Sequence, residues 1–120
     1  MLFRSIAARF SLSPIPSANR SETAKRWKLG GSDAEIGVIA PVSEPFCGHC
    51  NRLRLTADGK LRTCLFSIQE HDLRPLLRSG APDGEIDKFL IERTLLKEAR
   101  HHIGEPEFEA PSRSMSCIGG

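Results

Sequence analysis

Hydrophobic residues at the start of the chain recur at helical spacing. Leu2, Ile6 and Phe10 fall on one stripe, and two prolines then end the pattern. We therefore predict an amphipathic helix followed by a Ser/Pro-rich connector over residues 11–17. The first twenty residues also contain three arginines, four serines and no acid. That composition is typical of an organelle transit peptide, so both interpretations stay open.

The middle of the chain has the pattern of short strands. Residues 35–40 form an apolar run that ends before Pro41. Residues 52–56 and 60–65 flank the sequence Ala57-Asp58-Gly59, which predicts a β-hairpin. Its loop has three residues, and we expect Gly59 to take the left-handed conformation that such a loop requires.

The register of this hairpin places several chemically active side chains together. With a three-residue loop, Thr56 faces Lys60, and Cys64 lies opposite Arg52. One face then carries Arg52, Arg54, Arg62 and Cys64, and the other carries Leu53 and Leu55. Arginines on a strand are ordinarily solvated. Beside a thiol cluster, however, their planar guanidinium groups favour a phosphate or carboxylate site.

The C-terminal part of the chain is predicted to be helical. Asp72 can cap a short helix that carries Pro75 in its first turn and stops at Gly80. A second helix begins at Pro82, with an apolar stripe and a basic C-terminal end. The stripe is Ile86, Phe89, Leu90 and Leu96, and the basic residues are Arg93, Lys97 and Arg100. Residues 111–120 are predicted to form an extended tail.

These elements predict an α+β fold, with a small antiparallel β-hairpin or sheet and two or three helices. We treat residues 1–120 as one domain with four segments. They are a helix and connector over 1–34, strands with cysteines over 35–70, helices over 71–103, and an extended tail over 104–120.

Composition and charge limit the class of protein. Of the 120 residues, 39% are apolar and 27% are charged, which suits one small domain. The 17 basic and 15 acidic residues leave a net charge of only +2, so we expect no nucleic acid partner. No apolar run approaches the ~18 residues of a membrane span. We therefore expect a soluble, cytoplasmic protein with no membrane partner.

Three cysteines form the strongest chemical motif. Cys47 and Cys50 make a C-x-x-C unit, and Cys64 follows to give the spacing C-x2-C-x13-C. Nothing marks the chain as secreted, so metal binding or redox chemistry is favoured over a structural disulfide. Two thiolates three positions apart reach one metal from a single turn, and a hairpin returns the third.

Three cysteines leave a four-coordinate centre one ligand short. Cys117 is the first candidate to complete it, and the histidines follow. They are His49, His71, His101 and His102. A closed set indicates structural zinc, whereas an open position indicates an iron-sulfur cluster that presents one iron to a ligand. Spacing alone favours zinc and leaves both alternatives open.

Longer stretches of the sequence carry a family resemblance. The strings EIGVIAPVSEPFCGHCNRLRLTADGKLRTCLF, DLRPLLRSG and SMSCIGG occur together and in order. They resemble the C-terminal part of the molybdenum cofactor biosynthesis protein A family, the radical SAM GTP 3',8-cyclases. The resemblance runs from about Phe10 to Gly120. It implies a domain that closes an incomplete α/β radical SAM barrel.

The resemblance also implies roles for individual residues. Cys47, Cys50 and Cys64 match the ligands of the family's second 4Fe-4S cluster, whose open iron faces the purine of GTP. Arg52 and Arg54 match a pair that lies near the bound nucleotide. Gly119 and Gly120 match the tail that enters the active-site region. Cys117 falls at a variable position, so we do not count it as a ligand.

The sequence departs from the family in one respect. A C-x3-C-x2-C motif, which binds the catalytic cluster and SAM, does not occur in it, and a barrel needs ~200 residues or more. We therefore expect the C-terminal third of the enzyme, as a fragment, a split-gene product or a separate domain. We locate no catalytic residue in this chain and expect it to be inactive as a lyase by itself.

The expected partners follow from the resemblance. A radical SAM barrel, in cis or in trans, would supply SAM and the other 4Fe-4S cluster for the conversion of GTP to 3',8-cyclo-GTP. A homodimer and the downstream cyclic pyranopterin monophosphate synthase are further implied partners. Two alternatives from other classes stay open: a stand-alone zinc-binding interaction module and an inactive fragment.

Overall fold

The computed structural model describes residues 2–118, and the chain divides between Cys50 and Asn51 into two compact units. Each unit holds one three-stranded antiparallel sheet. Within the described residues there are also three α-helices and two short 3₁₀ helices. This arrangement confirms the predicted α+β class. No helix of residues 2–118 is both long and apolar enough to cross a membrane.

The first unit consists of one helix and the sheet β1-β2-β3. Its elements are α1 Leu2–Ala7, β1 Leu12–Ile15, β2 Lys25–Leu29 and β3 Glu35–Val38. The central strand β2 pairs Trp27 with Pro14 of β1 and Ile36 of β3. The ring centroid of Phe3 lies 4.4 Å from that of Trp27. Helix α1 therefore packs on the sheet through an aromatic contact.

The sequence pattern does not reveal β1 and β2. The Ser/Pro-rich stretch that we predict to be a connector forms β1, so that prediction is wrong. Pro14 is tolerated there because β1 is an edge strand. Strand β2 lacks apolar alternation because three of its five residues are basic. Ion pairs satisfy them: Lys25 with Glu44, Arg26 with Glu35 at 3.3 Å, and Lys28 with Asp33 at 3.0 Å.

The second unit begins with the predicted hairpin. Its strands are β4 Arg54–Leu55, β5 Lys60–Arg62 and β6 His71–Asp72. Arg54 pairs with Arg62, as the predicted register requires. The Thr56 N–H donates to the Lys60 carbonyl at 2.9 Å, and Gly59 has a φ of 74°. The three-residue loop and its left-handed glycine are thus confirmed.

The strands of this hairpin are shorter than predicted. Strand β5 ends at Arg62, and the chain bends at Thr63 and Cys64. The predicted pairing of Cys64 opposite Arg52 is therefore wrong. The carbonyls of Arg52 and Thr63 instead accept hydrogen bonds from the Lys97 ammonium, which is a contact that no local pattern reveals.

Two helices follow the sheet, as the sequence predicts. They are α2 Arg74–Arg78 and α3 Asp83–Leu95. The N-cap of α2 is Leu73 and not Asp72 as predicted, although the Asp72 carboxylate accepts a hydrogen bond from the Arg74 N–H at 3.0 Å. Gly80, with a φ of 69°, follows α2. Pro82 takes the N-cap position of α3 and not its first helical position. The predicted stripe extends one residue too far, because Leu96 lies beyond the helix and is 54% exposed.

The C-terminal segment is not extended, so that prediction is wrong. Residues Met115–Ile118 form a 3₁₀ helix, and Ile118 is 2% exposed. The Arg113 guanidinium binds both carboxylate oxygens of Asp58, at 3.0 and 2.6 Å. The sequence pattern cannot show an ion pair between residues 55 positions apart. Gly119 and Gly120 lie outside the described residues.

The Asp58 ion pair leads to a pH-dependent prediction. Hydrogen bonds from Arg113 and then from Thr56 hold the pKa of Asp58 below the ordinary value of 3.8. A lowered folded-state pKa stabilises the fold above the ordinary pKa, and this stabilisation declines as the pH falls below it. We expect Asp58→Asn to lower the urea midpoint of unfolding at about pH 7. The difference from the wild type should shrink progressively below about pH 4.

Asp87→Asn is the matched control, because Asp87 is an exposed residue in α3. Its urea midpoint of unfolding should stay close to that of the wild type at about pH 7 and at about pH 3. If the urea midpoint of Asp58→Asn were as far below that of the wild type at about pH 3 as at about pH 7, the carboxylate charge would not be what holds the C-terminal segment.

Candidate functional site

Two cysteines lie on one turn at the end of the first unit. Residues Cys47–His49 form a 3₁₀ helix, and the Cys50 N–H donates to the Cys47 carbonyl at 3.1 Å. The His49 N–H donates to the Phe46 carbonyl at 3.2 Å. This turn brings the two thiols onto one short segment, as the C-x-x-C spacing predicts. Both cysteines are only partly buried, so a metal or cluster has access to them.

The third cysteine lies in the second unit, in the bend that follows β5. Cys64 is partly buried and lines a cavity of about 320 Å³ within that unit. The cavity combines aromatic rings with ionisable groups. Its lining includes Phe66, Phe108, Glu98, His101 and His102. The rings of Phe66 and His101 meet edge to face, with centroids 5.3 Å apart.

The donor set fits an iron-sulfur or zinc centre in its chemistry. The four cysteines all belong to the described part of the chain, and no disulfide joins any of them. Thiolates are the ligands that such centres prefer. Among residues 2–118, however, no three His, Cys, Asp or Glu side chains lie in an arrangement that would hold a metal ion. The fit is therefore one of donor type and not of an assembled ligand shell.

Cys117 has a different environment from the other three. It is exposed in the C-terminal 3₁₀ helix, where the Ser114 hydroxyl donates to its sulfur at 3.3 Å. Hydrogen bonds from Ser114 and Ser116, and then the charge of Arg113, lower the pKa of the Cys117 thiol. Cys117 does not line the cavity that contains Cys64.

The histidines lie in separate places. His49 belongs to the turn of the first unit, and His71 begins β6. His101 and His102 line the Cys64 cavity. The Nδ1 atom of His102 lies 2.7 Å from an oxygen of Glu105, and this hydrogen bond is the main cause that lowers the pKa of that carboxyl.

The arginines of the hairpin do not form one solvated face. The Arg62 side chain is 2% exposed, and its guanidinium pairs with Glu70 at 3.2 Å and donates to the Ser67 carbonyl. Arg62 is thus a buried structural residue, which corrects the prediction of a uniform cationic face. Arg54, directly opposite on β4, is partly exposed, and Arg52 is exposed.

A second cavity lies beside these two arginines. It measures about 280 Å³ and belongs entirely to the second unit. Its lining is Arg52, Leu53, Arg54, Leu55 and Ile118. Two guanidinium groups next to apolar side chains can bind an anion that also carries a less polar part. The buried end of the C-terminal segment forms one wall of this cavity, through Ile118.

Two residues just beyond α3 contribute to the site through contacts that no local sequence pattern reveals. Lys97 donates to backbone carbonyls on both arms of the hairpin, and a Glu98 oxygen accepts the Thr63 hydroxyl at 2.7 Å. Burial by itself would raise the pKa of Glu98, but hydrogen bonds from the Ser67 hydroxyl, the Glu98 backbone and the Thr63 hydroxyl together outweigh it, so the pKa is lowered. The sequence signals only a basic helix end, because the partners lie 34 to 45 positions away.

Comparison with known proteins identifies relatives of this chain. It is 47% identical over 119 residues to GTP 3',8-cyclase of Mycobacterium sp. strain KMS. The matched region covers 99% of this chain and 34% of that protein. The enzyme of the same name from Streptomyces coelicolor is 46% identical over 120 residues, covering 99% and 35%. That from Rhodococcus opacus strain B4 is 44% identical over 115 residues, covering 96% and 33%.

The chain spans about a third of the length of these relatives. The family model described as Molybdenum Cofactor Synthesis C matches residues 1–103, which is most of the chain. The match includes all three cysteines of the C-x2-C-x13-C motif and the arginine hairpin. The chain therefore belongs to the Molybdenum Cofactor Synthesis C family.

Proposed function

We propose that this chain is the domain of a GTP 3',8-cyclase that binds GTP and an iron-sulfur cluster during molybdenum cofactor synthesis. The proposal takes the activity from the names of the relatives, which are about three times as long. One structural observation carries it: the cavity of about 280 Å³ that Arg52 and Arg54 line. Its chemistry suits a nucleoside triphosphate, because guanidinium groups pair with phosphate oxygens in a bidentate manner.

The cluster ligands in this proposal are Cys47, Cys50 and Cys64. When bound, a 4Fe-4S cluster with three cysteine ligands supplies one iron whose open position can bind the purine. The protein contributes two thiols from a single 3₁₀ turn and a third from the bend after β5. Cys117 is left out, because it lies apart from the C-x2-C-x13-C motif.

The nucleotide phosphates would occupy the arginine cavity. Arg52 and Arg54 alternate with Leu53 and Leu55, which are exposed in this chain. The guanidinium groups orient the triphosphate, and the apolar side chains keep part of the ligand away from water. Gly119 and Gly120 follow Ile118 in the sequence, and we propose that they also contact the nucleotide.

The radical chemistry would come from another part of the enzyme. A C-x3-C-x2-C motif for the SAM cluster does not occur in the sequence of this chain. We propose that a radical SAM barrel, in cis or in trans, generates the radical that starts the conversion of GTP to 3',8-cyclo-GTP. The residues of this chain would then hold GTP in position while that radical reacts.

The cysteine roles can be tested by anaerobic reconstitution. We expect the protein, supplied with iron and sulfide, to become brown and to bind about four irons. Cys47→Ser, Cys50→Ser and Cys64→Ser should each lose most of this iron, because a hydroxyl is a poor substitute for a thiolate ligand. Iron and acid-labile sulfide are measured together with the absorption spectrum.

Cys117→Ser is the matched control and should keep its iron and sulfide. A colourless protein with one zinc and no sulfide would contradict the cluster and support the zinc module. If Cys117→Ser lost its metal as the other three cysteine variants do, the site would be a closed one with four cysteine ligands.

The arginine roles can be tested by nucleotide binding in a protein that includes the barrel. Charge-assisted hydrogen bonds are worth about 1.5–3 kcal/mol. Arg52→Ala or Arg54→Ala should therefore weaken GTP binding roughly ten- to a hundredfold. The iron content should not change, because neither residue is a proposed ligand. Lysine at either position should recover only part of the affinity, since it lacks the planar fork.

Arg78→Ala serves as the control, because Arg78 is exposed at the end of α2. It should bind GTP like the wild type. Unchanged GTP affinity in both hairpin variants would remove the arginines from the site. Loss of iron together with GTP affinity would show that they support the hairpin structure.

The requirement for a barrel leads to a further expectation. This chain alone, incubated with SAM and dithionite, should release no 5'-deoxyadenosine above the blank, because the SAM-binding motif does not occur in it. Product analysis by liquid chromatography measures this directly. Detectable turnover by the purified chain would contradict the proposed division of roles.

A further inference from the structure

The two arms of the hairpin separate at the end that carries Arg52, which is proposed to bind GTP, and Cys64, which is proposed to bind the cluster. Regular pairing of β4 with β5 stops at Arg54 and Arg62. Beyond this point, the carbonyls of Arg52 and Thr63 both accept hydrogen bonds from the Lys97 ammonium, at 3.0 Å for Arg52. One cation therefore joins the two arms where the strand ladder does not.

The neighbouring residue adds a second link to the same arm. Glu98 accepts the Thr63 hydroxyl at 2.7 Å, and Thr63 is 2% exposed. Two consecutive residues after α3 thus hold Thr63 by its main chain and by its side chain. Thr63 is the residue before Cys64, so its position limits where the Cys64 thiol can lie.

Lys97 is well placed to act as a rigid link. Its own N–H donates to the Thr94 carbonyl at 3.0 Å, which continues the hydrogen bonding of the C-terminal turn of α3. Its ammonium has three donors, and two of them reach the hairpin. Lys97 is partly buried, so water competes less for these donors than at the surface.

We propose that Lys97 is a positioning residue that fixes the spacing between the Arg52–Arg54 arm and the Cys64 bend. A ligand that contacts both arms needs this spacing, whereas a ligand of one arm does not. The inference deepens the proposed function and rests on it for the identity of that ligand. Its structural part, the restraint of Cys64 by Lys97, can be tested without GTP.

The first experiment uses thiol reactivity as a local reporter. In a chain with only Cys64 retained, made with C47S, C50S and C117S, the alkylation rate by iodoacetamide is compared in Lys97→Met and Lys88→Met. Methionine keeps the apolar stem of lysine but removes its donors. Lys88 lies on α3, the helix that precedes Lys97, and its side chain is 76% exposed. We expect Lys97→Met to increase the Cys64 rate roughly three- to tenfold.

A second reporter separates this local effect from general loss of stability. In a chain with only Cys117 retained, Lys97→Met should leave the alkylation rate unchanged, since Cys117 lies in the C-terminal 3₁₀ helix. Lys97→Arg should restore slow alkylation of Cys64, because a guanidinium can also donate to two carbonyls. Equal Cys64 rates in Lys97→Met and Lys88→Met, or equal acceleration at both cysteines, would overturn the proposal.

The ligand part is tested in the protein that includes the barrel. Lys97→Met should weaken GTP binding roughly threefold to tenfold and leave binding of inorganic triphosphate unchanged, because triphosphate needs only the arginine arm. Equal weakening of both ligands would contradict a spacing role. If the wild type binds no GTP, the proposed function fails, while the Cys64 alkylation rates still decide whether Lys97 restrains this bend.

Discussion

The second unit depends on the buried guanidinium of Arg62. Its side chain is 2% exposed, and it is held by the Glu70 carboxylate and the Ser67 carbonyl. Removing one partner of a buried ion pair typically costs about 3–5 kcal/mol, because the other charge is left without compensation. Glu70 also pairs with Lys60 at 3.3 Å and Arg113 at 3.5 Å. One carboxylate thus joins the hairpin, through Lys60 and Arg62, to the C-terminal segment, through Arg113.

Features that depend on nearby residues could be predicted from the sequence. The hairpin register follows from the loop Ala57-Asp58-Gly59. The start and end of α2 follow from Asp72 and Gly80, and the start of α3 follows from Pro82, each to within one or two residues. In each case the determining residues lie within a few positions of the element. The C-x-x-C turn belongs to the same class, because its hydrogen bond joins residues three positions apart.

Features that depend on distant partners could not be predicted in this way. Strand β2 is stabilised by ion pairs with Glu35 in β3 and with Asp33 in the preceding turn, so its basic residues give no hydrophobic pattern by which it could be predicted. Arg62 and Arg54 have the same side chain on paired positions, yet only Arg62 meets Glu70 and is buried. Lys97 appears in the sequence only as a basic helix end. The cysteine spacing predicts that the candidate site has thiol donors. It does not predict the arrangement of those thiols in space, which depends on the fold of the chain between Cys50 and Cys64.

Pro14 has a consequence for the outer edge of the first sheet. Within residues 2–118, strand β1 has one neighbour, β2, and Pro14 lies near the middle of its four residues. A proline lacks the N–H that an approaching strand would need as a donor, and edge prolines are a common means of preventing intermolecular β-pairing. Residues 12–15 therefore make a poor template for a strand from a second chain, which reduces the tendency of this edge to start aggregation.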